Sequence, residues 1–525
     1  MAITGEEAKV EKNLEANVEW LNKELGVKES FDVIRHDIMF AGRRASLFYI
    51  DGFIKDDIML YILRRLSELA REELAPSPFK KTLEQYINYI EVDTLGDLHQ
   101  VVDKVLAGEL ALVVDGFEEV IMIDARRYPV RNPEEPDLER VVRGSRDGFV
   151  ETLLSNTNLL RRRIRDPRLR IEILQAGSRS KTDIAVVYIK DIAHPGLVER
   201  VKKRIKAIKI DGLPMAEKSV EELITPGNWW NPFPRVRYTE RPDVAAVHLL
   251  EGHVLVMVDT SPSAMIIPAT LFHHLQHAEE YRQAPLVGAF LRWVRFLGVL
   301  VSVFLPPVWL LLALNRSLIP PGLEWLGPKK IAAVPLMWQF LLAEGGIDLL
   351  RMAAIHTPTA LATALGLIAA ILIGEVAIAV GLFNPEIILY MAVAAIGIFA
   401  TPSYELGMAN TLVRIAALLA VGFWGLPGLL MVLIGTFLLL ATTKSFGVPY
   451  LWPLLPWDWR SLKTILIRSP VPLQNLRPPA LHPLDEDRQP APAYKPFLRE
   501  GGASLEERVS RRTSPQDQDS SRGNG

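Results

Sequence analysis

From Phe296 to Leu314 the chain runs nineteen residues without a charge. A helix rising about 1.5 Å per residue needs about 20 apolar residues to cross the bilayer hydrocarbon. In that solvent every backbone N–H and C=O must bond within its own segment, so the run is committed to a helix. More apolar stretches follow. Leu361 to Leu382 is a second span, interrupted only by Glu375, and Ile387 to Ala400 is short but crosses with its flanks. Ile415 to Ala441 contains Gly422, Gly425, Pro427 and Gly428, and reads either as one long broken span or as two short ones folded at Gly425 to Gly428.

Basic residues near the ends of spans stay on the cytoplasmic side. Arg292 and Arg295 flank the first span and orient the segment before it inward, while Lys444, Arg460, Lys463 and Arg468 do the same for the C-terminal side. The crossings are then even in number. Four crossings leave residues 331–354 re-entrant or on the surface; six make them cross and fold the last apolar run into a hairpin. The sequence leaves both open. The N-terminal MAITGEEAKVEKNLEANVEW has no apolar core of the signal-peptide kind, so nothing in it directs export.

The segment before the spans mixes two periodicities. ASLFYI (45–50), LALVVD (110–115), VIMID (120–124) and IAVVYI (184–189) are short, β-branched runs of buried-strand type. Ile58 to Glu73 and Leu197 to Ile208 repeat apolar residues at three and four, as packed helices do. NWWNPFPRVRYTER (228–241) reads as an irregular connector, and VAAVHLLEGHVLVMVDTSPSAMIIPA reads as three strands parted by turns at Glu251-Gly252 and Thr260-Ser261-Pro262. No internal repeat is visible in this part of the sequence. The expected plan is an N-terminal helical extension over 1–35 and a soluble α/β or α+β head of two lobes over 36–290. A transmembrane helical bundle of four to six spans over 291–445, a membrane-proximal segment over 446–478 and a disordered Pro-rich tail over 479–525 complete it.

Composition excludes several chemistries. The chain has no cysteine, hence no disulfide, thiol nucleophile or thiolate-bound zinc. A formal net charge of -2 lacks the basic excess of a nucleic-acid binder. The six arginines of LLRRRIRDPRLR (159–170) are balanced by nearby acids and read as a salt-bridged surface segment. No phosphate-binding loop, nucleophile elbow or dinucleotide fingerprint is present, so no enzymatic activity is expected. His273, His277 and Glu280 share a helical face with zinc-like spacing, but no further ligand follows them and they read as an interface helix; no metal or cofactor is expected.

Charges inside the apolar half carry the functional reading. At 100° per residue, Glu344, Asp348 and Arg351 fall within about 60° of one another on a helix. Each charge at mid-bilayer costs about 2.5–3.5 kcal/mol, so the three must face protein, water or the interface. They form a polar lining for an ion path, or an internal set in which Glu344 or Asp348 pairs with Arg351. Glu375, alone in its span, is a further polar membrane position.

The stretch EPDLERVVRGSRDGFVETLLSNTNLLRRRIRDPRLRIEILQAGSRSKTDIAVVYIKDI (135–192) resembles the signature region of the A-subunit family of spore germination receptors. RVRYTERPDVAAVHLLEGHVLVMVDTSPSAMIIP, HLQHAEEYRQAPLVGAFLRWVRFLG, LLRMAAIHTPT and ATPSYELGMAN narrow the resemblance to a sporulation branch of that family. It implies an inner spore-membrane protein with its head on the spore-core side, embedded in lipid. It also implies a homo-oligomeric ring gating monovalent cations, and other membrane proteins of the germination machinery as partners. Glu344, Asp348 and Arg351 match the family's acidic, acidic and arginine positions; Gln339 stands where receptor subunits often carry an acid. A non-conducting scaffold for germination receptors and a secondary transporter are the rival functions.

Overall fold

The structure, a computed structural model, describes residues 8–68, 91–126, 139–225, 227, 229–319, 321–322, 327–329, 332–356 and 375–489. The head begins with helix α1 (Leu14–Leu25), whose Asn13 side chain caps the Glu15 N–H and whose Gly26, at φ 69°, ends it. Leu21 and Leu25 are fully buried, so α1 belongs to the first lobe and is not a separate extension. Strands β1 (Val33–Phe40) and β2 (Arg43–Ile50), helix α2 (Asp56–Ser67), β3 (Val92–Leu95), α3 (Leu98–Leu106), β4 (Leu110–Val114) and β5 (Val120–Ile123) complete that lobe. Its sheet is antiparallel throughout, in the order β1-β2-β4-β5-β3.

The second lobe repeats this plan. Helix α4 (Leu153–Arg163) precedes β6 (Leu169–Ala176) and β7 (Thr182–Ile189). Helices α5 (Pro195–Lys206) and α6 (Ala216–Ile224) follow, then β8 (Arg237–Thr239), α7 (Pro242–Glu251), β9 (Val254–Val258) and β10 (Ala264–Ile267). The strand order β6-β7-β9-β10-β8, again antiparallel, has the same connectivity as the first sheet. The head is therefore α+β and internally repeated, a duplication that the sequence reading did not detect because what the lobes share is topology.

Both faces of each sheet are covered, which is why the strands read as continuous apolar runs rather than alternating ones. In the first lobe Phe48, Ala111 and Met122 pack under α1 and α3, and Leu47, Leu112 and Ile121 pack under α2. In the second, Ile171, Val187 and Leu255 meet α4 and α7, and Val186, Val256 and Met265 meet α5 and α6. Two expectations fail here. Residues 242–251 form a helix instead of a strand, because Pro242 occupies its first turn and Gly252, at φ 102°, caps its end. The connector over 228–241 also contributes the edge strand β8.

The arginine-rich segment joins the lobes and is only partly a surface. Arg161 is buried and donates to both carboxylate oxygens of Asp32, with Nε to Oδ2 at 2.8 Å. Arg170, also buried, bonds Glu29 at 2.7 Å, while Arg168, at the surface as expected, pairs with Asp166 and Asp191.

Beyond the head, short helices α8 (Leu271–Leu275) and α9 (Ala278–Arg282) lead into an apolar array. It contains α10 (Pro285–Leu314), α11 (Leu336–His356), α12 (Pro385–Phe399), α13 (Tyr404–Trp424) and α14 (Leu426–Thr442). Among the described residues, α10 and α13 are long and apolar enough to cross a membrane. Gly425, at φ 61°, separates α13 from α14, which fold back on each other: a Cβ on Gly428 would lie 2.0 Å from the Ala420 carbonyl oxygen. The last apolar run is thus a hairpin. Its far side brings Trp309, Phe340, Ile387, Leu418 and Leu429 into one cluster. Helix α15 (Trp459–Leu466) then packs at the head side, and the tail, expected to be unpacked from residue 479, is packed as far as Gln489. Leu481 is buried, Leu484 N–H bonds the Ile192 carbonyl and Arg488 pairs with Glu251, so polar contacts hold a segment that composition alone marks as solvated. Residues 490–525 lie outside the described residues.

Candidate functional site

Helix α10 carries Pro306 and Pro307 in its interior. Proline has no N–H, so Pro306 cannot donate to the carbonyl one helical turn earlier, that of Ser302. The bare carbonyl is filled from another helix: Arg414 Nη1, on α13, donates to Ser302 O at 2.6 Å. The same guanidinium holds Glu344 of α11 by a two-pronged ion pair, with Nε to Oε2 at 2.9 Å and Nη2 to Oε1. Side-chain exposures of 1% and 2% put this knot of three helices in the interior of the array. Bidentate pairing supplies the geometry a buried ion pair needs to offset desolvation.

The rest of the polar stripe divides one turn further on. Asp348 and Arg351 form an ion pair at 3.3 Å, with side-chain exposures of 30% and 12%. Arg351 Nη1 also lies 2.8 Å from the Met408 sulfur, and Arg351 lines a cavity of about 650 Å³ at the junction with the head. Arg237 and Tyr238 enter that cavity from the head, His274 from α8, and Ser403 and Glu405 from the start of α13. His274 Nδ1 lies 3.3 Å from Ser403 Oγ, a direct link between the connecting helix α8 and the array. Burial pushes the His274 imidazole down to about 3, so this histidine is neutral at physiological pH.

Of the two pairings open from sequence, Asp348 takes Arg351, and Glu344 takes Arg414, a partner that sequence reasoning missed. Arg414 stood at the edge of the run read from Ile415. The signal available was physical: an arginine amid Leu412, Val413, Ile415 and Ala416 needs a carboxylate at the same depth, and Pro306 leaves a carbonyl without its donor. Gln339, at the opposite end of α11, is buried and donates to the Val334 carbonyl at 2.6 Å, while its Oε1 accepts the Asn384 N–H at 2.7 Å. An amide does this as a donor and an acceptor at once; a carboxylate could only accept. Glu375 does not join the stripe. It is exposed, just ahead of a short helix over Ala377–Ala379, after which the Gly381 carbonyl accepts the Ala333 N–H. The expected span over 361–382 lies mostly outside the described residues.

Arg292 and Arg295 sit in the second and third turns of α10, both on Glu280. Arg292 and Glu280 are fully buried and bonded at 2.6 Å; Arg295 reaches the other carboxylate oxygen. Arg292 also donates to the Ile465 carbonyl of α15, closing the C-terminal segment onto the first apolar helix. Glu280 therefore answers to two arginines, and His277 caps α9 by accepting the Glu279 N–H at 3.2 Å. His273, His277 and Glu280 do not converge. Close packing holds the adjoining helices, since a Cβ on Gly397 of α12 would lie 2.2 Å from the Gly298 carbonyl oxygen of α10.

Residues 19–480 match the profile of the family described as Bacillus/Clostridium GerA spore germination protein. Over 485 residues the chain is 48% identical to stage V sporulation protein AF of Bacillus subtilis (strain 168), covering 92% of this chain and 98% of the relative. It is 29% identical to spore germination protein B1 of the same organism, over 91% of this chain and 99% of that one. The N-terminal domain of the A subunit of the Bacillus megaterium spore germinant receptor GerK3 aligns with 51% of this chain and 99% of its own length, at 25% identity and a TM-score of 0.41.

Proposed function

This chain belongs to the Bacillus/Clostridium GerA spore germination protein family, and from that membership and the α11 charges we propose that it is the membrane subunit of an oligomeric, gated passage for monovalent cations used in germination. The observation that carries the reading is the partition of the stripe. Glu344 is spent on Arg414, whereas Asp348 keeps about a third of its side-chain surface open, and its partner Arg351 lines the cavity under the head. Repeated around an axis, Asp348 becomes a ring of carboxylates, and such rings select cations. Arg351 holds each carboxylate in place, and Glu344 with Arg414 fixes the helix that presents it.

Oligomerisation has support in α11 itself. Trp338, Leu342, Leu349 and Met352 are each more than half exposed, and with exposed Gly345 they recur at intervals of four and three. That is the 3.5-residue period of a helix seam, and Gly345 has open space where a partner backbone can approach. Six crossings suit the described helices better than four. Helix α11 ends near the head and the chain is next seen at the far side at Glu375, while the hairpin of α13 and α14 returns it to the head. Exposed Lys444, Arg460 and Lys463 at the head-side ends favour a head facing the spore core across the inner membrane. Partners are the other membrane proteins of the germination machinery.

Planar-bilayer recording on the purified oligomer tests the reading. Cation-selective unitary currents, reduced several-fold and less selective in Asp348→Asn, are expected. An assembled but electrically silent particle would sink the channel and leave the receptor-gathering scaffold in its place. Saturable flux without unitary events would favour a transporter.

A further inference from the structure

Three histidines meet in the second lobe, from elements that the sequence keeps apart: His248 from the last turn of α7, His253 just ahead of β9, and His273 from α8. One ring nitrogen of each lies within 4.8 Å of the other two, and among the described residues no other group of three metal-ligating side chains converges in this way. The ring centroids are 5.1, 5.8 and 5.0 Å apart, with planes crossing at 64°, 65° and 81°. With a zinc–nitrogen bond of about 2.0–2.1 Å and a ring radius of about 1.1 Å, each centroid stands about 3.2 Å from the ion, so tetrahedral angles put centroids about 5.2 Å apart. The observed triangle has that size.

His253 supplies an independent reason. It is fully buried and neither ring nitrogen makes a hydrogen bond; the Ile267 and Pro268 carbonyls act on it from outside bonding geometry. A buried polar group left without a partner costs about 1–3 kcal/mol. His248 is already arranged as a ligand, because its Nδ1–H donates to the Val244 carbonyl at 2.8 Å and leaves the Nε2 lone pair free. Burial holds His248 and His273 well below the ordinary imidazole range and His253 at about 3, so all three are neutral.

We propose that His248, His253 and His273 bind a zinc-class divalent ion, with water in the fourth position. Neutral imidazole suits zinc, copper and nickel and not the hard, oxygen-seeking ions. A cavity of about 340 Å³ reaches His248 alongside Glu251 and His277 and gives the ion and its water a route in. One local bond must change. Without an ion, the Thr270 N–H donates to His273 Nδ1 at 3.0 Å, which sets the ring proton on Nε2. Ligation through Nε2 moves that proton to Nδ1, where Thr270 Oγ1, 3.1 Å away, accepts it. Arg237, whose charge acts on all three rings, is paired with Glu139 at 3.4 Å, which offsets its repulsion of the ion. The ion would staple α7 and β9 to α8, the start of the connector into the apolar array, so occupancy sets how firmly the second lobe grips α10.

The test uses tag-free, full-length protein in detergent, stripped of metal and titrated with Co²⁺ and then Zn²⁺. Expected are one Co²⁺ per chain, the intense visible absorption of four-coordinate cobalt, and its displacement by one equivalent of Zn²⁺. His253→Ala should weaken Zn²⁺ binding by about 100-fold or more, whereas His277→Ala should leave it unchanged. A weak six-coordinate spectrum, substoichiometric uptake or unaltered affinity in His253→Ala overturns the proposal. X-ray absorption of Zn²⁺ on the unsubstituted protein decides independently of how the variants fold: three imidazoles in the shell uphold the site, and any other count refutes it.

Discussion

Replacing Arg414 by leucine removes one partner of a buried ion pair and the donor to an orphaned carbonyl at the same time. Arg414 and Glu344 are almost wholly enclosed, so Glu344 cannot turn to water when its partner goes. Breaking such a pair costs about 3–5 kcal/mol, chiefly as the penalty on the stranded charge. The Ser302 carbonyl, unpaired inside α10 because of Pro306, adds about 1–3 kcal/mol. These two costs can be separated. In Glu344→Leu/Arg414→Leu the stranded charge is gone, and the double variant should recover at least about 3 kcal/mol relative to Arg414→Leu alone. Adding Pro306→Ala restores a backbone N–H to Ser302 and should recover part of the remainder. Unfolding in mixed micelles, followed by tryptophan fluorescence, gives the ranking; Trp309, packed against Phe340 and Tyr390, reports from inside the array. A double variant no more stable than Arg414→Leu would refute the stranded-charge argument. A Pro306→Ala change that gains nothing in the leucine background, yet stabilises the wild type, would refute the role given to the Ser302 carbonyl.

Gly397→Leu should part α10 from α12, because even a Cβ there overlaps the Gly298 carbonyl; wild-type melting of the variant would contradict the crossing. Arg292→Met leaves Glu280 with Arg295 alone and frees the Ile465 carbonyl, so α15 should become accessible to protease while the two lobes of the head stay resistant. Asp243 is raised by burial but lowered further by Arg241 and Arg282, and its carboxyl ends below the usual range. Its stabilising contribution is complete above the unfolded carboxyl pKa, about 3.9, and is lost as pH falls through the lower folded value. Asp243→Asn should therefore flatten the acid limb of head stability and lower the plateau near neutrality, and an unchanged acid limb would count against it.

How much of this could be read from the chain varies with the physics. Strands β2, β4, β5 and β7 were legible because sheets covered on both faces demand unbroken apolar runs. Helix α7 was misread because VAAVHLLE is equally apolar as a strand, and only the flanking signals, Pro242 at its start and the cap at Gly252, distinguish them. The polar stripe on α11 was visible as a helical spacing. Its division was not, since Arg414, the donor that takes Glu344 and so leaves Arg351 to Asp348, lies 70 residues from the acid it holds.

Local pattern determined by itself that the chain divides into a charged part with strand runs and an apolar helical part, and that Glu344, Asp348 and Arg351 share one face. Periodicity and transfer energy are properties of neighbours in sequence, so they survive without knowledge of the fold. Only the tertiary structure decided that the head is one topology used twice, that Arg414 answers both Glu344 and the carbonyl bared by Pro306, and that three scattered histidines converge. Each of these depends on which distant segments fold against one another, and burial makes the resulting polar pairings obligatory once the segments meet.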